Sequence, residues 1–188
     1  MKKLIITIIC TVAIIIGIIF TTSLSTHKER NILAVWWWND QLDTEIYFDY
    51  AVKNNITEIY YCNSSFDKNT KDFISLANKK DIKVYFLCGE YQWLENRTNL
   101  INKLNSYLEY QNNNSKYKFA GVHLDIEPHQ NPNFDTNREI LITALIQLVY
   151  DLENLYPTIN FNYDIPFWFD DEITFNSNTK PAYATLSK

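Results

Sequence analysis

Residues 119–129 read Phe-Ala-Gly-Val-His-Leu-Asp-Ile-Glu-Pro-His, and four of them, His123, Asp125, Glu127 and His129, carry groups that do chemistry. Side chains alternate along a strand, so His123, Asp125 and Glu127 fall in a row on one face and Val122, Leu124 and Ile126 on the other. A buried strand avoids carboxylates, because an unpaired buried charge costs several kcal/mol. A row of His, Asp and Glu beside an apolar row therefore predicts the wall of a catalytic cleft. Pro128 holds Glu127 in extended backbone, where the strand leaves the sheet.

Two carboxyls on one face suit glycosidic bond cleavage. One acid protonates the leaving oxygen, and a second group stabilises or captures the positive ring carbon. Glu127 is the natural acid, and Asp125 sits one strand repeat below it, roughly 6.5–7 Å away. A neighbouring carboxylate raises its partner's pKa, which helps Glu127 hold its proton. His123 is expected to modulate the two acids and to contribute to substrate binding, and no cofactor is called for. A divalent ion on His123, Asp125, Glu127 and His129 is an alternative. It is disfavoured because neighbouring side chains of one strand row stand about 7 Å apart. A further alternative is a polar core without turnover, in a non-catalytic or degenerate sugar-binding chain.

Gly121-Val122-His123-Leu124-Asp125-Ile126-Glu127 resembles the fourth-strand signature of the family 18 glycoside hydrolases, the chitinase-like enzymes. That motif ends in Gly-x-Asp-x-Asp-x-Glu. Gly121, Asp125 and Glu127 match it. His123 stands where the family has an Asp, and Ala120 replaces the Asp before the Gly. The resemblance spans strands one to five. It implies a TIM barrel, Glu127 as proton donor and Asp125 steering a substrate acetamide. The family's strand-six Tyr and strand-eight Trp would lie beyond Lys188.

The elements that must position these groups alternate. Strands are predicted at 32–38, 57–62, 82–88, 121–127 and 159–165. Helices are predicted between them, one capped by Thr44, others over 70–80 and from Thr98 to the 112–114 asparagines. The last starts at a Thr136–Glu139 capping box. Such alternation predicts a parallel α/β sheet with helices outside. The turn after the first strand lacks the glycines of a doubly wound nucleotide fold. Polar residues gather at strand C-terminal ends instead, as in a (β/α) barrel. Residues 31–188 therefore read as an incomplete barrel of about five strands. They fall short of the ~200 residues at the low end for that fold. The tail from Phe167 reads as a loop and the start of a sixth unit. The expectation is a chain cut short, or one completed by a second polypeptide.

Asn162 and Asp164 share a face of the fifth strand and are expected to line the same cleft. Trp38 and Trp168 follow strand ends and are candidate sugar platforms, with Trp93 as a further one. Aromatic residues make up 15% of the chain, enough for either a core or stacking surfaces. The net charge of −5 gives no support for a nucleic-acid partner. Cys62 and Cys88 are expected to be buried thiols, a bridge between them being the alternative.

Residues 4–24 carry no charge and follow Met1-Lys2-Lys3. A run of this length spans a bilayer as an apolar helix or serves as an export signal, with a small-x-small cleavage site ending at Ser25. Residues 1–25 are thus read as a signal peptide or membrane anchor. The remainder is expected to be secreted, or held on the outer face of the cytoplasmic membrane. The function predicted is an exported hydrolase performing retaining-type, acid-assisted cleavage of a polysaccharide or oligosaccharide, with N-acetylated sugars among the candidate substrates. The alternatives are the non-catalytic sugar binder and the metal-dependent hydrolase.

Overall fold

A computed structural model describes residues 32–38, 43–63, 65–166, 169–170 and 172–186. The apolar segment 1–25 and Trp168 lie outside the described residues, as do the expectations placed on them. Among the described residues, no helix is long and apolar enough to cross a membrane.

Five strands form one parallel sheet in sequential order: β1 (Ala34–Trp37), β2 (Glu58–Tyr61), β3 (Lys83–Cys88), β4 (Gly121–Leu124) and β5 (Phe161–Tyr163). Four helices connect them: α1 (Thr44–Lys53), α2 (Lys68–Lys79), α3 (Thr98–Asn113) and α4 (Phe134–Leu155). The order contains no reversal, so the sheet lacks the switch point of a doubly wound fold.

One face of the sheet is apolar and meets the helices. Ile59, Val84, Phe86, Val122 and Leu124 join Phe48, Ile74, Leu100, Leu104, Ile142 and Ile146 in one core. Burying each such side chain stabilises the fold by about 1.5–3 kcal/mol. The opposite face carries Trp36, Tyr60, Tyr85, His123 and Asn162, matched across strands by the register. Trp36 pairs with Tyr60 and Tyr60 with Tyr85, while Leu87 pairs with His123 and His123 with Asn162.

The helices end with little glycine. At the ends of α1 and α2, Asn55 and Asp81 take left-handed backbone, with φ of 57° and 56°. The next amides, of Ile56 and Ile82, donate back to the carbonyls of Ala51 and Ala77. These are Schellman closures built on Asn and Asp, residues that tolerate positive φ. Both isoleucines are buried, so each cap also seats the following strand.

Several sequence expectations shift. Asp43, not Thr44, caps α1, its carboxylate accepting from the amides of Glu45 and Ile46. The Thr136 capping box is not formed. α4 begins at Phe134, kinks at Asn137, and carries Thr136 inside it with its hydroxyl donating to Asn133 O. The predicted strand 32–38 is shortened to β1, and within it Trp36 is about half exposed. Cys62 is exposed and Cys88 buried, and they are not bridged.

The tail is not a sixth parallel unit. It forms an antiparallel hairpin, β6 (Glu172–Phe175) and β7 (Asn178–Pro181), followed by the short helix α5 (Ala182–Leu186). Asn176 and Ser177 connect the strands with φ of 48° and 64°, the signature of a type I′ turn. Phe175 stacks on Tyr150 of α4, and the Tyr150 hydroxyl donates to Thr185 O. The hairpin and the short helix after it are therefore docked on α4.

Candidate active site

The polar row of β4 opens into a cleft of about 360 Å³ lined by Trp36, Asp125, Glu127, His129, Asp164, Ile165 and Pro166. It lies at the C-terminal end of the parallel strands. β4 ends at Leu124, but its extended course continues. The Asp125 amide donates to Cys88 O and the Asp164 amide to Leu124 O, each at 3.1 Å. The ladder thus runs one residue further on both sides and places Asp125 beside Asp164.

Gly89 makes that placement possible. A Cβ at this position would stand 1.7 Å from the Asp125 carbonyl oxygen. Only a residue without a side chain lets the end of β3 pass so close to the Asp125 backbone.

His123 is buried beneath the acids. Its ring stacks on Tyr60, with centroids 3.6 Å apart and planes 13° from parallel. Its Nε2 stands 2.9 Å from Asp164 Oδ2, at ion-pair distance but without hydrogen-bond alignment. Among the described residues, its Nδ1 has no hydrogen-bond partner. The same Asp164 oxygen accepts from the Trp36 indole N–H at 3.2 Å. Trp36 in turn meets Tyr60 edge to face at 6.0 Å. Trp36, Tyr60, His123 and Asp164 thus close a ring of contacts drawn from β1, β2, β4 and the residue just past β5.

Burial pushes the Asp125 carboxyl up to about 6, helped by the charges of Asp164 and Glu127 and by a hydrogen bond with Asp164, with His123 acting the other way. The carboxyl raised is thus the inner acid of the strand row. Glu127 sits at the cleft mouth with extended backbone before Pro128. Gln130 Nε2 donates to its Oε2, and His129 Nε2 stands 3.6 Å from Oε1.

The structure brings Asp125, Glu127 and Asp164 together, with His123 directly behind. Asn162 lies on β5 opposite His123, below the cleft and outside its lining. Trp38 is exposed and does not line the cleft. Trp93 is fully buried packing. The aromatic wall of the cleft is Trp36, which sequence reasoning missed. Its parity along β1 was the available signal, hidden because all of 32–38 is apolar. Tyr60 was missed for the same reason, as one of two adjacent tyrosines. Among the described residues, no three His, Cys, Asp or Glu side chains converge to hold a metal ion.

No protein-family model matches the chain, and a search of curated proteins finds no match either.

Proposed function

We propose that this chain is an exported glycoside hydrolase of (β/α) barrel type that acts on a polysaccharide or oligosaccharide, N-acetylated sugars being the favoured class. The observation that carries the reading is the shared cleft. Glu127 and Asp125 open into it together, at the C-terminal end of a sequential parallel sheet, against the indole of Trp36. An indole face suits the C–H face of a pyranose ring, and the polar groups around it can fix the hydroxyls.

In this reading Glu127, at the mouth, donates its proton to the glycosidic oxygen. Asp125, deeper in the cleft, orients the substrate acetamide, whose carbonyl oxygen attacks the ring carbon as the leaving oxygen departs with the Glu127 proton; water then opens that cyclic intermediate, returning a proton to Glu127 and retaining the configuration. The barrel reading draws support from the side-chain contact between the first and last strands of the sheet. Residues 1–25 supply the export signal or anchor.

The test is a panel of soluble glycans, plain and N-acetylated, incubated with the purified chain while binding and product release are followed together. Wild type is expected to release products. Glu127→Gln is expected to bind as well and lose cleavage by about 10²-fold or more. Cleavage by that variant at the wild-type rate would defeat the assignment.

One observation favours the second reading, a non-catalytic sugar binder. Both Glu127 oxygens already have neighbours, in Gln130 and His129. Binding by the wild type without any product would support it.

A further inference from the structure

Three carboxyl groups, those of Asp125, Glu127 and Asp164, share one small cleft. Like charges so close disfavour one another, so the arrangement needs a device that removes a charge. Asp125 and Asp164 supply the geometry for one. They follow the paired residues Leu124 and Tyr163 on adjacent parallel strands, where side chains on one face stand about 4.8 Å apart. The ladder bond from the Asp164 amide to Leu124 O holds that register. A hydrogen bond with Asp164 is among the causes that raise the Asp125 carboxyl.

The two acids are not equivalent. Asp164 Oδ2 receives the Trp36 N–H and faces His123 Nε2, so Asp164 is held in place from two sides. Asp125 lines the cleft, and its described side-chain partner is Asp164 itself. A proton between them would sit on an Asp125 oxygen and point at Asp164.

We propose that Asp164 is a positioning residue that shares one proton with Asp125 and, pinned by Trp36 and His123, fixes which oxygen of Asp125 faces the bound sugar. The purpose assigned to that oxygen rests on the hydrolase reading above, whereas the shared proton does not. Asp164 was expected from sequence only to line the cleft. The arrangement makes it the link between the indole wall, the buried imidazole and the inner acid.

The experiment is a pH titration of the full chain labelled with ¹³C at the aspartate carboxyls, read by NMR. The Asp125 signal is identified by its loss in Asp125→Asn. The charged and titratable groups around the pair are Glu127, His123 and His129, with Tyr60 facing Asp164. Because the pair is coupled, its midpoints belong to both acids. In wild type the first group to titrate above the ordinary carboxylate range is expected to be Asp125. In Asp164→Asn its midpoint is expected to drop by about one pH unit or more, since the repelling charge is gone and an amide donor replaces it. Asp164→Glu is expected to restore a raised midpoint. An Asp125 midpoint that stays put in Asp164→Asn overturns the proposal.

Trp36→Phe provides a second test should Asp164→Asn fail to fold. It removes a donor from Asp164 and leaves both carboxyls, so the pair is expected to hold its proton to higher pH. No change in that midpoint overturns the pinning of Asp164. Glycan cleavage is not read in either titration. A midpoint that moves in a chain that cleaves nothing keeps the shared proton and removes the hydrolase reading. A fixed midpoint in an active chain does the reverse.

Discussion

The indole N–H of Trp36, on the first strand of the sheet, donates to Asp164, just past the last strand, at 3.2 Å. Four interstrand spacings separate β1 from β5, about 19 Å along a flat sheet. An indole and a carboxylate cannot bridge that gap. The sheet must curl so that its concave face brings the two edges within side-chain reach. The contact therefore reports curvature, and the cleft exists because of it. Trp36→Phe keeps the ring but loses the donor. A hydrogen bond to a charged group contributes about 1.5–3 kcal/mol, less where water competes as it does here, so a loss of about 1 kcal/mol is expected. Urea unfolding reads it as a lower midpoint with an unchanged slope. An unaltered midpoint would mean that the contact contributes nothing to holding the curl.

Gly89 sets a second, sharper condition. The added Cβ of Gly89→Ala would meet the Asp125 carbonyl at 1.7 Å, and a backbone atom cannot swing aside. Overpacking of this kind costs about 1–3 kcal/mol. Thermal unfolding should show the loss, and glycan binding should weaken with it, because Asp125 must move. A variant as stable as wild type would show that β3 and β4 do not approach so closely.

Stability should fall as the pH rises through the titration of Asp125. Its carboxyl is held at about 6, against an ordinary value of 3.8. Between those values the folded chain binds the proton and the unfolded chain does not. The contribution is therefore complete below about pH 4 and lost as the pH passes about 6. Allowing for solvent screening of a half-exposed group, it amounts to about 1 kcal/mol. Melting temperatures taken from pH 4 to pH 7 should fall more steeply for wild type than for Asp125→Asn. Parallel curves would show that Asp125 titrates as it does in the unfolded chain.

The hairpin turn gives a prediction that does not involve the cleft residues. Ser177 occupies the second central position of the type I′ turn at φ 64°, where glycine carries no steric cost. Ser177→Gly is expected to stabilise the chain by about 0.5–1 kcal/mol, read as a higher melting temperature. A lower one would argue against this turn geometry.

The alternation of strands and helices, and the polar row of β4, were legible from local pattern alone. Period-two alternation in Val122–Glu127 requires opposite faces whatever the fold does with them. Apolar runs bounded by Asn and Asp locate the elements because burial and turn chemistry act over a few residues. The hairpin was not legible, since its Asn-Ser turn lacks the glycine that usually signals a type I′ connection. The capping box at Thr136 misled because the chain already turns at Asn131, whose side-chain oxygen accepts from the Asn133 amide.

What the sequence determined by itself is the parity of each strand and hence which residues share a face. What only the tertiary structure decided is which faces meet. Trp36, Tyr60, His123 and Asp164 are separated by long stretches of chain and carry no common motif. Their contact depends on the parallel register and on the curl of the sheet, both set by how the helices pack on the outer face. The same holds for the raised carboxyl of Asp125, because burial and neighbouring charge belong to the assembled cleft and to no segment of it.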